Sequence, residues 1–241
     1  GCAAIILAGL SYQDKDGYVN SGLNLLKKII KLSFDNNGFP KSRNIRQLNF
    51  YLKYFILIRE WLKESQNEIP EYIVESIYHL GQAYSFFSQN NKTDFLFNGN
   101  HESNNSEFDH YLKRLGYKFK NQNIELGGYV ILRNKKITFI SDIGASPDKK
   151  FSSNYQAGCL SFEILSSGKK LISNSGYFQN FDHQLNRLSK TSATQSTLVL
   201  EDTSSCKFTK ESGLHSKVAR GLKIIKKNIV FEKNYWKVSA A

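Results

Sequence analysis

The first 90 residues carry apolar side chains at the spacing of amphipathic helices, in the stretches 18–34, 42–64 and 70–88. The second stretch is the most regular, because its apolar residues recur at i, i+3, i+4 and i+7 and therefore share one helix face. These residues are Leu48, Tyr51, Leu52, Phe55, Ile58 and Leu62. The pattern predicts three helices, and the polar segment 35–40, with its Gly and Pro, ends the first of them.

After residue 93 the apolar residues occur in short runs between turn signals such as Gly127-Gly128. The runs that predict strands are 95–97, 129–132, 137–140, 160–165, 170–173, 197–200, 222–225, 229–232 and 236–239. Regularly spaced short strands are typical of an antiparallel sandwich. Segment 108–115 predicts one further short helix. Helices followed by strands indicate an α+β chain of two domains, a helical domain at 1–90 and a sandwich domain at 91–241. We place the boundary near the polar run 89–92.

The composition, with 40% hydrophobic and 22% charged residues, is ordinary for a soluble globular protein. No run of 18 apolar residues occurs, so we expect no membrane span. The apolar segment 1–10 lacks the basic residues that lead a signal peptide, and we interpret it as the end of a buried helix. The chain contains no Met, so we expect a processed domain or a piece of a longer protein.

The net charge of +12 has two explanations. A basic surface attracts polyanions such as an acidic polysaccharide, a nucleic acid or anionic lipid. Alternatively, the excess of Lys over Arg reflects an AT-rich coding bias without selection for binding. No helix-turn-helix or ribonucleoprotein motif is present, so no nucleic-acid partner is expected. The three cysteines, Cys2, Cys159 and Cys206, are too dispersed to predict a disulfide framework or a zinc knuckle.

Five segments, in one order along the chain, resemble the heparinase II/III-like family of polysaccharide lyases. They are 35–44 (DNNGFPKSRN), 95–99 (FLFNG), 124–144, 156–176 (QAGCLSFEILSSGKKLISNSG) and 190–208 (KTSATQSTLVLEDTSSCKF). The segment 124–144 resembles the family's hairpin that ends in Asp-x-Gly, and 156–176 its most recognisable strand pair. The resemblance implies the C-terminal part of an α/α toroid followed by an antiparallel β-sandwich, with the substrate bound between them.

The resemblance also implies β-elimination on a uronate-containing glycan, such as a glycosaminoglycan or alginate. A base removes the C5 proton, a second group neutralises the adjacent carboxylate, and an acid protonates the leaving glycosidic oxygen. Such enzymes use Tyr or His as base and acid. We therefore predict catalytic roles for Tyr155, Tyr177 and His183, which lie within or between the matched segments. Ordinary packing is the alternative for the two tyrosines, and a surface position for the histidine.

Amides stand at three positions where many members of the resembled family hold a metal. Gln156 and Gln195 occupy two His positions, and Asn174 occupies an Asp position. Amide oxygens are weak zinc ligands compared with imidazole and carboxylate. We therefore expect no metal and no other cofactor. The amides could bridge strands by hydrogen bonds, which we favour, or they could bind sugar hydroxyls.

Three arginines are candidates for binding the uronate carboxylate. Arg43 and Arg46 follow the family's Ser-containing stretch, and Arg187 lies in a loop between matched segments. A guanidinium group pairs well with a carboxylate, although on a helix start the alternative is a solvated charge. His101, which follows FLFNG, is a further candidate, because we expect it near the junction of the two domains. Asp142 lies beside a predicted turn, and we interpret it as a turn-former.

The leading hypothesis is a metal-independent lyase that cleaves an acidic polysaccharide. The alternative is a non-catalytic relative that binds glycan or serves as a scaffold. Glutamines stand at both of the family's His positions, and the Tyr that the family places shortly after its Ser-containing stretch is absent. By family resemblance we expect the protein in the periplasm or cell envelope. The sequence indicates no oligomeric state.

Overall fold

The computed structural model describes residues 1–12, 16–88, 93–102, 106–209, 216–233 and 235–241. The chain divides into two compact units. Unit 1 comprises Gly1–Pro40, Gln47–Ser85 and Asn105–Lys120, and unit 2 comprises Lys41–Arg46, Phe86–Asn104 and Asn121–Ala241. The predicted boundary at 89–92 lies outside the described residues, and the division into domains 1–90 and 91–241 stays a prediction.

Five helices lie wholly or mostly in unit 1, each in a segment that the sequence predicts to be helical. They are α1 (Cys2–Ser11), α2 (Asp16–Ser33), α3 (Ile45–Glu64), α4 (Glu71–Ser88) and α5 (Ser106–Arg114). The predicted stripe of α3 is buried at Leu48, Leu52, Phe55 and Leu62. Removing these side chains from water is what holds a helix of this kind in place. None of the helices within the described ranges has the length and hydrophobicity needed to cross a bilayer.

The break after α2 is built by the side chain of Asp35. Its Oδ1 accepts hydrogen bonds from the backbone N–H groups of Asn37 and Phe39, both at 2.9 Å. Gly38 has a φ of 71°, and a Cβ there would lie 2.5 Å from the Cβ of His79. The turn therefore requires glycine for two reasons, its left-handed backbone and the close approach of α4.

The sheet of unit 2 is an antiparallel meander of five strands in the order β1-β2-β3-β4-β5. The strands are β1 (Glu125–Leu126), β2 (Tyr129–Arg133), β3 (Ile137–Asp142), β4 (Phe162–Ser166) and β5 (Lys169–Ile172). The β2–β3 register pairs Tyr129 with Asp142. It therefore places the Tyr129 side chain at the start of β2 next to the Asp142 side chain at the end of β3.

Two hairpins and a short helix complete unit 2. They are β6 (Lys207–Phe208) with β7 (Val218–Arg220), β8 (Lys227–Phe231) with β9 (Trp236–Ala240), and α6 (Gln184–Ser189). The β8–β9 hairpin packs Ile229, Trp236 and Val238 against Val130 and Leu132 of β2. A second antiparallel layer therefore covers the sheet, which confirms the predicted sandwich and the α+β class.

Three predicted strands are wrong, at 95–97, 197–200 and 222–225. The backbone groups of these segments form hydrogen bonds with side chains or with single residues, and not with a neighbouring strand. The N–H of Leu96 donates to the Glu163 carboxylate, and the N–H of Leu222 donates to the Ser146 hydroxyl. Leu198 is 78% exposed, so the apolar run that predicts the strand 197–200 does not face a core.

Lys190 is a buried lysine that joins three segments of unit 2. Its Nζ donates to the backbone oxygens of Ser153 and Ser216, and it lies 5.6 Å from the ring centroid of Phe208. Burial lowers the pKa of Lys190 to about 8. The side chain is therefore part of the core and not of the basic surface.

Candidate functional site

The guanidinium group of Arg43 is enclosed within unit 2. Its Nη2 lies 2.6 Å from Oδ1 of Asp142, and only 9% and 1% of the two side chains are exposed. Further N–H groups donate to the backbone oxygens of Gly127, Gly128 and Ala145 at 3.0–3.1 Å. Arg43 therefore uses these donors inside the fold, and its predicted binding of a substrate carboxylate stays a prediction.

Backbone conformation and glycines allow this burial. Arg43 has a φ of 56°, a left-handed conformation that costs a non-glycine residue roughly 1–3 kcal/mol. A Cβ on Gly144 would lie 2.4 Å from the Cζ of Arg43, and one on Gly128 would lie 2.8 Å from its Nη2. The Tyr129 ring centroid lies 4.7 Å from the guanidinium carbon, and its hydroxyl donates to the Arg43 carbonyl.

Asp142 has two functions, of which the sequence predicts one. Its Oδ1 accepts from the N–H of Gly144, which is the predicted turn-forming contact. The same oxygen pairs with Arg43, and Oδ2 accepts from Nδ2 of Asn98 at 2.9 Å. The interpretation as a turn-former alone was therefore incomplete, because sequence gives no sign of a partner 99 residues away.

From Asn98 the buried network continues to Gln156. The Gln156 backbone N–H donates to Oδ1 of Asn98, and the Gln156 side-chain oxygen accepts from the N–H of Gly99. The Gln156 amide nitrogen donates to the carbonyl oxygens of Gly176 and Ser189. Every polar atom of this side chain is therefore engaged by backbone or by a neighbouring amide.

Gln195 and Asn174 are also bonded within the fold. The amide nitrogen of Gln195 donates to the Ser189 carbonyl at 3.0 Å, the same oxygen that Gln156 contacts. Oδ1 of Asn174 accepts from the N–H and hydroxyl of Ser196, and its Nδ2 donates to Glu163 at 3.3 Å. The two glutamines thus share one acceptor, whereas Asn174 bonds to a different set of groups.

Glu163 is a buried carboxyl group with unequal oxygens. Its Oε1 accepts from the N–H groups of Leu96 and Asn174, whereas Oε2 has no hydrogen-bond partner. Burial raises the pKa of Glu163 above its ordinary value, although Lys170 and the N–H donors oppose the rise. The protonated form is therefore favoured by the fold more than it is in an exposed glutamate.

The predicted catalytic residues lie in different environments. Tyr155 is 2% exposed and packs with Ala157 and Cys206, and burial raises its pKa. Tyr177 is also buried, with a pKa raised by burial, and its hydroxyl lies 3.4 Å from the Asn154 side-chain oxygen. His183 is exposed and accepts the Leu185 N–H as the N-cap of α6. Their predicted catalytic roles stay predictions.

Of the nine predicted site residues, the structure joins Arg43, Gln156 and Gln195 through one hydrogen-bonded network. Arg46 and Arg187 are exposed and lie outside it. Burial of the His101 ring and, after it, the charge of Arg46 lower the pKa of that histidine, while Asp94 opposes the shift. Arg46 therefore interacts electrostatically with His101 outside this network, and the neutral form of the ring is favoured.

A groove of about 580 Å³ opens in unit 2 beside the carbonyl groups that hold the two glutamines. Ser189, Gly176 and Thr194 lie in its wall, together with His101 and the exposed side chain of Phe178. His101 is a candidate from the sequence, whereas Phe178 is not. The only local signal for Phe178 is that it is the second of two aromatic residues that follow the Asn-x-Gly turn.

These features define an α+β chain whose antiparallel sandwich carries a buried polar network and an open groove. Residues 120–241 match the family model described as heparinase II/III-like, C-terminal. This is half of the chain, and the chain belongs to the heparinase II/III-like family. Comparison with curated protein sequences gives no match.

Solved structures of similar fold include two of heparinase III and one of heparan sulfate lyase HepC from Pedobacter heparinus. The first heparinase III match covers 99% of this chain and 40% of the other, with a TM-score of 0.77 and 14% identity. The second heparinase III match covers 94% of this chain and 40% of the other, with a TM-score of 0.70 and 16% identity. The HepC match covers 87% of this chain and 39% of the other, with a TM-score of 0.67 and 14% identity.

The chain therefore spans about 40% of the length of these proteins. At such identities the likeness concerns the fold alone. It confirms the predicted fold class, the end of a toroid followed by a β-sandwich.

The first prediction concerns the Arg43–Asp142 pair. Asp142→Asn leaves a buried guanidinium without its counter-charge, and we expect it to lower the free energy of unfolding by about 3–5 kcal/mol in denaturant titrations. Adding Arg43→Met should recover part of this loss, because no unpaired charge is then buried. Arg187→Met, at an exposed arginine, is the control. A loss below about 1 kcal/mol in Asp142→Asn would contradict a buried ion pair.

The second prediction tests whether Gln156 bridges the fold. Gln156→Leu keeps the volume but leaves the N–H of Gly99 and the oxygens of Gly176 and Ser189 without this partner. We expect the unfolding free energy to fall by at least about 2 kcal/mol. Gln122→Leu, at an exposed glutamine, should change it by less than about 0.5 kcal/mol. Equal stability of the two variants would favour the sugar-binding interpretation of Gln156.

The third prediction concerns the pH dependence of Glu163. Because its folded-state pKa is raised, its stabilising contribution is complete below the ordinary pKa of glutamate and is lost as pH rises through the folded value. Glu163→Gln keeps an acceptor oxygen but cannot ionise. We expect this variant to gain stability relative to the unchanged protein as the pH rises above the ordinary glutamate pKa of about 4.3. Glu68→Gln, at an exposed residue, should show no such trend, and a parallel stability profile for Glu163→Gln would refute the shift.

Proposed function

We propose that this chain is part of a polysaccharide lyase that cleaves an acidic, uronate-containing glycan by β-elimination. The observation that carries the proposal is the match of residues 120–241 to the heparinase II/III-like family. The likeness of the fold to structures titled heparinase III and heparan sulfate lyase supports it. The net charge of +12 suits an anionic polymer.

The proposed reaction breaks two bonds on neighbouring carbons of the sugar. A base takes the C5 proton, the C4–O bond to the leaving sugar breaks, and a C4–C5 double bond forms as an acid protonates the departing oxygen. Charge that develops on the carboxylate needs a nearby cation or hydrogen-bond donor. Within unit 2, the exposed Arg46 beside His101 is better placed to meet a substrate than the enclosed Arg43.

We propose further that the reaction proceeds without a metal held at Gln156, Asn174 and Gln195. These side chains do not fit a metal ion, because the oxygens of Gln156 and Asn174 already accept N–H groups. The amide nitrogens carry protons and donate to backbone or carboxylate oxygens. Among the residues that the structure describes, no group of three His, Cys, Asp or Glu side chains could hold a metal.

A second candidate function is a glycan-binding or scaffold relative without catalysis. The observation that favours it is the burial of Tyr155, Gln156, Asn174 and Gln195, whose polar atoms bond within the fold. Such side chains cannot reach a substrate unless the fold opens. Under this function the protein binds acidic glycan and forms no product.

The expected partner in either case is an acidic polysaccharide, and no nucleic-acid partner is proposed. The family resemblance supports a periplasmic or cell-envelope location for such a substrate. Heparan sulfate, other glycosaminoglycans and alginate are the uronate polymers to compare. Their sulfation differs, so the comparison also reports which anionic group the protein requires.

The fourth prediction tests the reaction itself. Incubating the full-length protein with heparan sulfate, chondroitin sulfate or alginate should raise the ultraviolet absorbance, because the unsaturated uronate absorbs and the substrate does not. Dextran, a neutral glucan, is the control and should give no signal. A chelator should leave the rate unchanged, since no step uses a metal.

Two results would overturn parts of this proposal. Loss of the rate on chelation, restored by added zinc, would refute the metal-independent reaction. Binding of an acidic glycan without any unsaturated product would refute the lyase and support the non-catalytic alternative.

A further inference from the structure

Phe178 is an exposed aromatic side chain on a firmly held backbone. Its N–H donates to the Ser189 hydroxyl at 3.2 Å, and its carbonyl accepts from Nδ2 of Asn186. The side chain is nevertheless 38% exposed and lines the groove. The His183 ring lies 5.2 Å from the Phe178 ring, which supports it from α6. An apolar ring that is fixed in place but left in water is typical of a binding surface.

The groove combines apolar and polar groups, as a sugar ring does. Leu96, Leu185 and Leu188 contribute apolar surface, and Ser175 and Thr194 lie beside them. Its volume of about 580 Å³ falls within the range of small-molecule sites. A sugar ring offers an apolar face of C–H groups and an edge of hydroxyl groups. Such a ring matches this wall better than a purely apolar ligand does.

His101 lies on the polar side of the groove, and the Gln179 side chain contacts its ring. The side-chain nitrogen of Gln179 lies 2.8 Å from Nδ1 and 2.9 Å from Nε2 of the His101 ring. The charge of Arg46 acts on the same ring, and Glu102 at the groove pairs with Lys170 at 3.4 Å. Asp94 is the opposing acidic group. Arg46 therefore supplies a positive charge near the groove, while the carboxylate of Glu102 has a counter-charge.

We propose that this groove is a subsite for one acidic sugar unit of the glycan, in which Phe178 stacks on the sugar ring and His101 with Gln179 bonds to its polar edge. This inference rests on the proposed function, because the ligand class comes from it. His183 acts as a positioning residue, since it caps α6 and supports the Phe178 ring without reaching the sugar.

The buried glutamines give the subsite its rigidity. Gln156 and Gln195 fix the Ser189 carbonyl, and the Ser189 hydroxyl fixes the N–H of Phe178. Gln156 also fixes the carbonyl of Gly176, two residues before Phe178. Gln156 and Gln195 therefore hold the wall of the groove and, under this proposal, do not touch the sugar.

The fifth prediction is tested by calorimetric binding of heparan sulfate and alginate tetrasaccharides to the full-length protein. Phe178→Ala removes the stacking ring, and we expect about tenfold weaker binding of whichever tetrasaccharide the unchanged protein binds. Phe178→Tyr keeps the ring and should retain the affinity. Leu171→Ala is the matched control, because Leu171 is 66% exposed on β5 and does not line the groove.

A second substitution tests the polar side independently. Gln179→Ala should weaken binding severalfold without lowering the melting temperature, because the ring of His101 loses its neighbouring amide. A purely structural role of Gln179 would lower thermal stability instead. Thermal unfolding of each variant therefore accompanies the calorimetry.

The outcomes separate this inference from the proposed function. Weaker binding in Phe178→Ala, with Phe178→Tyr and Leu171→Ala unchanged, supports the subsite. If the protein cleaves acidic glycan but Phe178→Ala binds it with unchanged affinity, the subsite is refuted. The proposed lyase activity is then still supported. A protein that neither binds nor cleaves any acidic glycan overturns the proposed function, and the subsite with it.

Discussion

The ion pair between Arg43 and Asp142 is the interaction on which the polar interior of unit 2 depends. A guanidinium group buried without a counter-charge would be strongly destabilising, so its surroundings must supply both charge and acceptors. Asp142 supplies the charge, and Gly127, Gly128 and Ala145 supply carbonyl oxygens. Glycines at 128 and 144 leave room that any side chain would fill. The glycines at the ends of β2 and β3 are thus required by one buried cation.

A chain of hydrogen bonds connects the Arg43–Asp142 ion pair to the groove. Asn98 contacts Asp142 and Gln156, and Gln156 and Gln195 both donate to the Ser189 carbonyl. Ser189 in turn fixes the backbone of Phe178. Gln156 and Gln195, at positions where the family resemblance implies metal-binding histidines, thus form hydrogen bonds within the fold.

Much of the fold could be predicted because helix and strand periods are local properties of the chain. The buried stripe of α3 and the turn at Asp35 need only neighbouring residues. The wrong strands show the limit of that argument. The segment 95–97 is apolar and buried, but the N–H of Leu96 bonds to Glu163, which is 67 residues away. An apolar run indicates burial, and the partner of its backbone decides whether it forms a strand.

The sequence by itself determined the five helical segments of unit 1, most strands of the sandwich, the family resemblance and the positions of Gln156, Asn174 and Gln195. Only the tertiary structure decided what these side chains do, because a hydrogen bond depends on the partner that folding brings within about 3 Å. Arg43 and Arg46 look equivalent in the sequence, three residues apart. One is enclosed beside Asp142, and the other is exposed near His101. Burial therefore distinguishes a residue that supports the fold from one whose charge stays exposed to solvent.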